Sequence, residues 1–124
     1  MEQTRKRKSG TPTGIQEALK KATTEMLVLY LLREKPMYTY EMMHAIEERS
    51  DGTITFNTMY QAIYRLQDFQ YIREHGKIVS EDNRTRVYFA ITEEGEAYLE
   101  VLKGEYLRFT NTVDHILGLE REAH

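Results

Sequence analysis

The apolar run MLVLYLL, Met26–Leu32, places the strongest constraint on how this chain can fold. A bilayer requires about 20 apolar residues, so this run is too short to cross a membrane. Apolar residues before it keep helical spacing, which predicts one helix from about Gln16 to Arg33. A buried strand is the alternative, but the flanking Glu and Lys residues favour a helix. Because this half is apolar all round, it must be covered on more than one side.

The distribution of charge separates an N-terminal arm from the rest of the chain. Residues 1–21 carry six basic and two acidic side chains, a net charge of +4. Since the whole chain has a net charge of −3, the remaining residues carry −7. Residues 1–14 have no apolar side chain after Met1 and are predicted to form a flexible basic arm. Such an arm can bind phosphate although the whole chain is acidic. An ordinary disordered tail is the alternative.

The composition also limits the chemistry and the compartment. The chain has 124 residues, the size of one domain, and no Cys, so disulfides and thiol catalysis are excluded. No secretion signal opens the chain, and a cytoplasmic protein without a membrane partner is expected.

The remaining elements are predicted from caps, turns and residue types. Pro36 ends the first helix, and Thr55 and Thr92 are placed as N-caps of later helices. The predicted order is a helix over about 39–49, a helix over 55–70, strands over 71–74 and 86–91 with a turn at 81–85, and a long last helix. This is a mostly α fold with a β-hairpin wing (α+β), in which two short helices form a helix-turn-helix.

The stretch TFNTMYQAIYRLQDFQYI, which starts at Thr55, has two distinct faces. One face is apolar, and its members are Met59, Ala62, Ile63, Leu66 and Phe69. The other can hydrogen-bond throughout and includes Asn57, Tyr60, Gln61 and Tyr64, with Thr58 and Arg65 at its edge. In a helix-turn-helix protein the second helix enters the major groove, where amide side chains pair with adenine and Arg with guanine. Tyrosines can hydrogen-bond phosphates. An ordinary solvated face is the alternative for this helix, as it is for Arg84 and Arg86 on the wing.

The last helix carries a stripe of apolar residues with alternating steps of three and four. Its members are Leu99, Leu102, Tyr106, Phe109, Val113 and Ile116. The stripe can pack on the first helix of its own chain, but a domain of this size cannot cover both helices. A homodimer is therefore predicted, in which the last helix packs on the first and last helices of the partner.

These residues resemble the PadR family of winged-helix transcriptional regulators over about residues 16–118. The family's recognition helix, roughly Ser-Pro-Gly-Thr-Leu-Tyr-x-x-Leu-x-x-Leu, is similar to the segment Thr55–Leu66. Its basic wing and Tyr-Tyr-x-Leu-Thr-x-x-Gly are similar to the segment Arg84–Gly95, and its Gly-Tyr-Glu to Thr39-Tyr40-Glu41. The family's Pro-Gly after the cap is Phe56-Asn57 here, and its wing glycines are absent.

The resemblance implies a homodimeric repressor that binds double-stranded DNA at a palindromic operator. It adds Tyr40 to the candidate DNA contacts, and it implies a site for an aromatic or cationic small-molecule effector at the dimer seam. Met26, Tyr30, Tyr106 and Phe109 are the candidate ligand residues, with plain core packing as their alternative. The implied organisation is an arm (1–14), a winged helix-turn-helix domain (15–92), a dimerisation helix (93–119) and a tail (120–124).

Two other classes of function are alternatives to DNA binding. A winged helix used only for protein–protein contacts is the alternative, because the body is acidic and the wing glycines are missing. An enzyme is not expected, because the four His residues are scattered and no HExxH, phosphate loop or Cys nucleophile is present. Neither a metal site nor a cofactor is predicted.

Overall fold

A central helix, α1 (Pro12–Glu34), opens the part of the chain that the computed structural model describes, residues 12–121. Pro is well tolerated in the first helical turn, where its missing N–H has no intrahelical acceptor. The helix therefore starts before the predicted Gln16, and residues 12–14, which were assigned to the arm, form its first turn. Residues 1–11 of the predicted arm lie outside the described residues. The helix ends two residues before Pro36, as predicted.

Six further elements follow α1. They are β1 (Met37–Tyr38), α2 (Thr39–Arg49), α3 (Tyr60–Asp68), β2 (Ile72–Val79), β3 (Thr85–Ile91) and α4 (Glu93–Leu117). The described residues thus form four helices and one antiparallel three-stranded sheet, which confirms the predicted winged helix-turn-helix with a long last helix. No helix within residues 12–121 is long and apolar enough to span a membrane.

The second half of α1 is the centre of the fold. Val28, Leu29, Leu31 and Leu32 are all buried, and they span roughly 160° of the helix surface at 100° per residue. Helices α2, α3 and α4 and strand β3 all pack on α1. The expectation that MLVLYLL is covered on more than one side is confirmed.

Helix α3 is shorter than predicted. It begins at Tyr60, so the prediction that Thr55 is its N-cap was wrong. Ile54 and Phe56, on either side of Thr55, both pack on the core. The helix ends at Asp68, two residues before the predicted Gln70, where the backbone turns with φ 63°. Phe69, placed on the apolar face by sequence, is 54% exposed.

The sheet has the strand order β1-β3-β2. Strand β1 was not predicted, because two residues are too few to show an alternating pattern; it pairs Met37 with Phe89. Strand β2 extends to Val79, beyond the predicted Glu74, and a bulge lies between Glu74 and Gly76. Asn83 has φ 66° in the turn of the hairpin. Asn tolerates this left-handed conformation, which accounts for a wing turn without glycine.

The start of α4 is docked on the chain segment that follows α3. Thr92 Oγ1 accepts the Gly95 N–H at 3.0 Å, and this bond confirms Thr92 as an N-cap. The same hydroxyl donates to the Gln70 carbonyl at 2.7 Å, while the Thr92 N–H donates to the Tyr71 carbonyl at 3.1 Å. The first turn of α4 is therefore fixed relative to the end of α3.

Candidate nucleic-acid interface

Helix α3 presents one buried and one exposed face, as its sequence predicted. Ile63 and Leu66 are buried in the core, and Met59 is buried directly before the helix. Gln61 is exposed on the other side, and so are the rings of Tyr60 and Tyr64. These rings stack on each other, with 6.0 Å between centroids and 19° between planes. Two exposed and aligned phenols beside an amide form a surface suited to contact rather than to solvation alone.

The loop before α3 brings further polar groups to this face. Asn57 and Thr58 are exposed, and the Thr58 hydroxyl accepts the Tyr60 N–H at 3.3 Å. Thr55 is exposed as well, but its backbone carbonyl accepts a hydrogen bond from Lys20 Nζ at 2.7 Å. Lys20 also lies 5.4 Å from the centre of the Phe56 ring. Helix α1 thereby fixes the loop that leads into α3.

In the part of the chain that the structure describes, Arg65 forms the shorter of the two ion pairs found among the predicted DNA-contact residues, and its partner lies on α1. Its Nε donates to Glu25 Oε2 at 2.6 Å, and its guanidinium carbon lies 4.9 Å from the centre of the Phe69 ring. The Glu25 carboxylate raises the pKa of Arg65 above its ordinary value.

The wing and α2 supply the remaining predicted residues. Arg84 is exposed at the hairpin tip, 3.6 Å from Asp82. The Ser80 hydroxyl donates to Asp82 and lowers the pKa of that carboxyl, so Asp82 stays negative beside Arg84. Arg86 instead lies half-buried over the Tyr38 ring at 4.8 Å. Tyr40 is exposed on α2, with its ring edge-on to His44. The tip therefore has little net positive charge.

Sequence reasoning did not identify Lys20 and Glu25 as partners of the interface. They contact residues 35 and 40 positions away. No local spacing signals such pairs, since they exist only once α1 packs against α3. No group of three or more His, Cys, Asp or Glu side chains within residues 12–121 is arranged to hold a metal ion.

The sequence matches the family model described as the transcriptional regulator PadR-like family over residues 28–101, which is more than half of the chain. This chain belongs to the PadR-like family. It is therefore a DNA-binding transcriptional regulator, as predicted, and not an enzyme.

One protein is similar to this chain in sequence, and two solved structures described as transcriptional regulators are similar in fold. An uncharacterized protein from Lysinibacillus sphaericus is 31% identical over 99 residues, which cover 77% of this chain and 90% of the relative. A transcriptional regulator from Clostridium thermocellum is similar in structure, with a TM-score of 0.70, 25% identity, and coverage of 79% of this chain and 96% of that one. A PadR family transcriptional regulator from Eggerthella lenta has a TM-score of 0.68 and 25% identity, covering 88% and 93%.

The apolar stripe of α4 divides into two parts in this PadR-like chain. Leu99 is fully buried in the core of its own chain, so it has no surface for a partner, and Leu102 packs partly on the same core. Val113 is half-buried. Tyr106, Phe109 and Ile116 are 48%, 70% and 75% exposed. Only the part of the stripe beyond Leu102 therefore presents large apolar side chains to solvent.

A groove of about 570 Å³ runs between α1 and α4. Met26, Tyr30 and Tyr106, three of the four predicted ligand residues, line it. Phe109 is not among its lining residues. Glu100 at its edge pairs with Arg33 at 2.8 Å and with Lys103 at 3.6 Å, so its charge is compensated.

Proposed function

We propose that this PadR-like regulator binds a palindromic operator as a homodimer and represses transcription, with the exposed face of α3 in the major groove. The observation that carries the proposal is the exposed set Tyr60, Gln61 and Tyr64 on a helix whose opposite face is buried. A recognition helix requires this arrangement, because its core face must hold it while its outer face reaches the bases. The proposal places the protein in the cytoplasm, with the DNA that it regulates.

The exposed residues divide by chemistry into those suited to contact bases and those suited to contact phosphates. Gln61 and Asn57 carry the amide group that can pair with N6 and N7 of adenine, so we assign them to the bases. The hydroxyls of Tyr60 and Tyr64 are assigned to phosphates, which position the helix without reading sequence. Further backbone contacts are assigned to Tyr40, Thr55, Thr58, Arg84 and Arg86. Arg65 is not assigned to DNA here, because Glu25 already holds its guanidinium.

The outer part of α4 supports the homodimer. Phe109 and Ile116 are 70% and 75% exposed, while the apolar Ile15 and Leu19 of α1 are 60% and 59% exposed. Packing α4 of one chain on α1 and α4 of another would remove these side chains from water. A two-fold axis would then present two copies of α3 to half-sites about one helical turn of DNA apart.

The groove between α1 and α4 supports release by a small molecule. It is mainly apolar, and the rings of Tyr30 and Tyr106 lie along it. A flat aromatic compound can pack on such rings, and a cationic one gains attraction to their faces. We propose that a ligand of this class binds here and weakens operator binding.

Replacing Gln61 with Ala is expected to reduce operator affinity about 10- to 100-fold, the usual cost of losing a bidentate base contact. Binding to a scrambled duplex is expected to stay the same, because Gln61 contributes to sequence reading only. Asn111→Ala removes an exposed amide from α4 and is the matched control. Fluorescence anisotropy with both duplexes measures the two affinities.

Replacing Tyr60 with Phe is expected to weaken binding several-fold on both duplexes alike, because only a hydrogen bond to phosphate is lost.

The first duplex to test with the wild-type protein comes from the region upstream of the protein's own gene, at two salt concentrations. Selective binding by two chains per duplex is the expected result. If selection from random DNA also enriches no sequence, the proposed reading face is wrong.

A further inference from the structure

The charge pair of Arg65 and Glu25 joins the middle of α3 to α1. Besides the 2.6 Å hydrogen bond from Nε, the guanidinium carbon lies 4.9 Å from the centre of the Phe69 ring, one turn further along. Both contacts hold the same group, one through a hydrogen bond to Nε and the other through the Phe69 ring. Planar Arg is suited to this double contact, and Lys is not.

The pair continues into a stack of rings that reaches α4. The Phe69 ring is stacked on Tyr71 at 5.9 Å with a 20° interplanar angle, and Tyr71 is stacked on Tyr98 at 4.2 Å and 12°. Tyr98 belongs to α4 and directly precedes the buried Leu99. Helix α3 is thus attached to α1 through Glu25 and to α4 through the rings, and Arg65 contacts both attachments.

A contribution to the free energy of unfolding does not account for the ion pair of Arg65 and Glu25. The side chains of Arg65 and Glu25 are 55% and 22% exposed, and ion pairs with this much contact with water contribute little to stability. The orientation of α3 does account for this arrangement. Arg65 lies one turn after Gln61, on the adjacent part of the helix surface, so a contact that holds Arg65 also holds the face that carries Gln61. A base contact by Arg65 would require the guanidinium to leave Glu25, and the carboxylate would then lie uncompensated beside the DNA phosphates.

We propose that Arg65 is a positioning residue, held by Glu25 and Phe69, that fixes the orientation of α3 for reading DNA. The inference rests on the proposed function of α3 and changes the role expected for Arg65 from the sequence. Glu25 thereby becomes part of the recognition apparatus although it belongs to α1.

Glu25→Gln separates this role from a direct DNA contact, because the two predict opposite signs. A positioning role predicts that operator affinity falls about tenfold, because the charge attraction that couples Arg65 to Glu25 is lost and only a weaker, neutral acceptor remains. A phosphate contact by Arg65 predicts tighter binding, because a negative charge that competes for the guanidinium is removed. Glu47→Gln is the matched control, since it makes the same change of charge on the exposed surface of α2, where Glu47 enters no ion pair seen within residues 12–121.

Arg65→Ala and the double variant complete the test. We expect each single variant to lose affinity by a similar factor and the double variant to lose no more, because one pair is broken in all three. The dependence of log affinity on log salt should keep its slope in Arg65→Ala. A slope lower by about 1, or tighter binding by Glu25→Gln, overturns the proposal, since either result marks a phosphate contact.

Amide hydrogen exchange without DNA distinguishes failure of this inference from failure of the proposed function. Glu25→Gln is expected to speed exchange in α3 and to leave α2 unchanged, because the pair attaches α3 to α1 and does not include α2. If wild-type protein shows no selective DNA binding but this change is seen, the function is wrong and the attachment of α3 stands. Unchanged exchange in α3 overturns the attachment itself.

Discussion

Gly95→Ala is expected to lower the free energy of unfolding by about 3 kcal/mol or more, the upper range for overpacking a closed site. Gly95 is buried in the first turn of α4. A Cβ atom there would overlap the backbone carbonyl oxygen of Tyr71 and lie 2.8 Å from Ile91 Cγ1. The carbonyl cannot move away easily, because it accepts the Thr92 N–H. The added methyl group must therefore push α4 away from the start of β2.

Gly104→Ala is the matched control on the same helix. Nothing lies within 4 Å of the position that its Cβ would take, so the usual helix preference for Ala should stabilise the chain by about 0.5–1 kcal/mol. Urea and thermal unfolding at one fixed protein concentration measure both variants, since the stability of a dimer depends on concentration. A melting temperature of Gly95→Ala within a few degrees of wild type would contradict the close contact with Tyr71.

Replacing both Phe109 and Ile116 with Glu is expected to convert the proposed dimer to monomers and to reduce operator affinity about 100-fold or more. The loss is large because linked recognition helices bind the second half-site at a high effective concentration, whereas separate monomers do not. The fold should survive, since both side chains are exposed within one chain. Analytical ultracentrifugation measures the association state, circular dichroism the fold, and anisotropy the affinity.

The control for this variant adds the same two charges on the opposite side of α4, through Asn111→Glu and His115→Glu. Both residues are exposed, and they lie roughly 180° from the stripe on a helical wheel. This pair of changes repels DNA phosphates equally but leaves the apolar surface intact, so dimerisation should persist. Equal losses of affinity in the two variants would show that charge alone is responsible and that α4 is not the dimer interface.

Features of the fold that rest on local chemistry could be predicted from the sequence. Pro36 and Thr92 set helix ends through their own backbone and hydroxyl chemistry, and the run MLVLYLL identified the central helix through its composition alone. The start of α3 could not be predicted in this way. Thr55 has the chemistry of a cap, but Ile54 and Phe56 beside it pack on a core that exists only after folding, and the helix begins at Tyr60.

The candidate site shows the same division. The exposed face with Tyr60, Gln61 and Tyr64 followed from helical periodicity. The pairing of Arg65 could not be predicted in this way, because its partner Glu25 is 40 residues away and contacts it only through the packing of α1 on α3. Leu99 was placed in the partner interface for a similar reason: periodicity shows that a residue is apolar, but not which chain covers it.

The stacked pair of Tyr60 and Tyr64 also has an optical consequence. The chain contains nine Tyr and no Trp, so no indole absorbs or masks the emission of its phenols. Two of these nine lie together on the face proposed to meet DNA, where bases and phosphates would change their surroundings on binding. The regulator thus carries an intrinsic fluorophore at its proposed reading surface, and substitution of each ring in turn would assign the signal without any attached label.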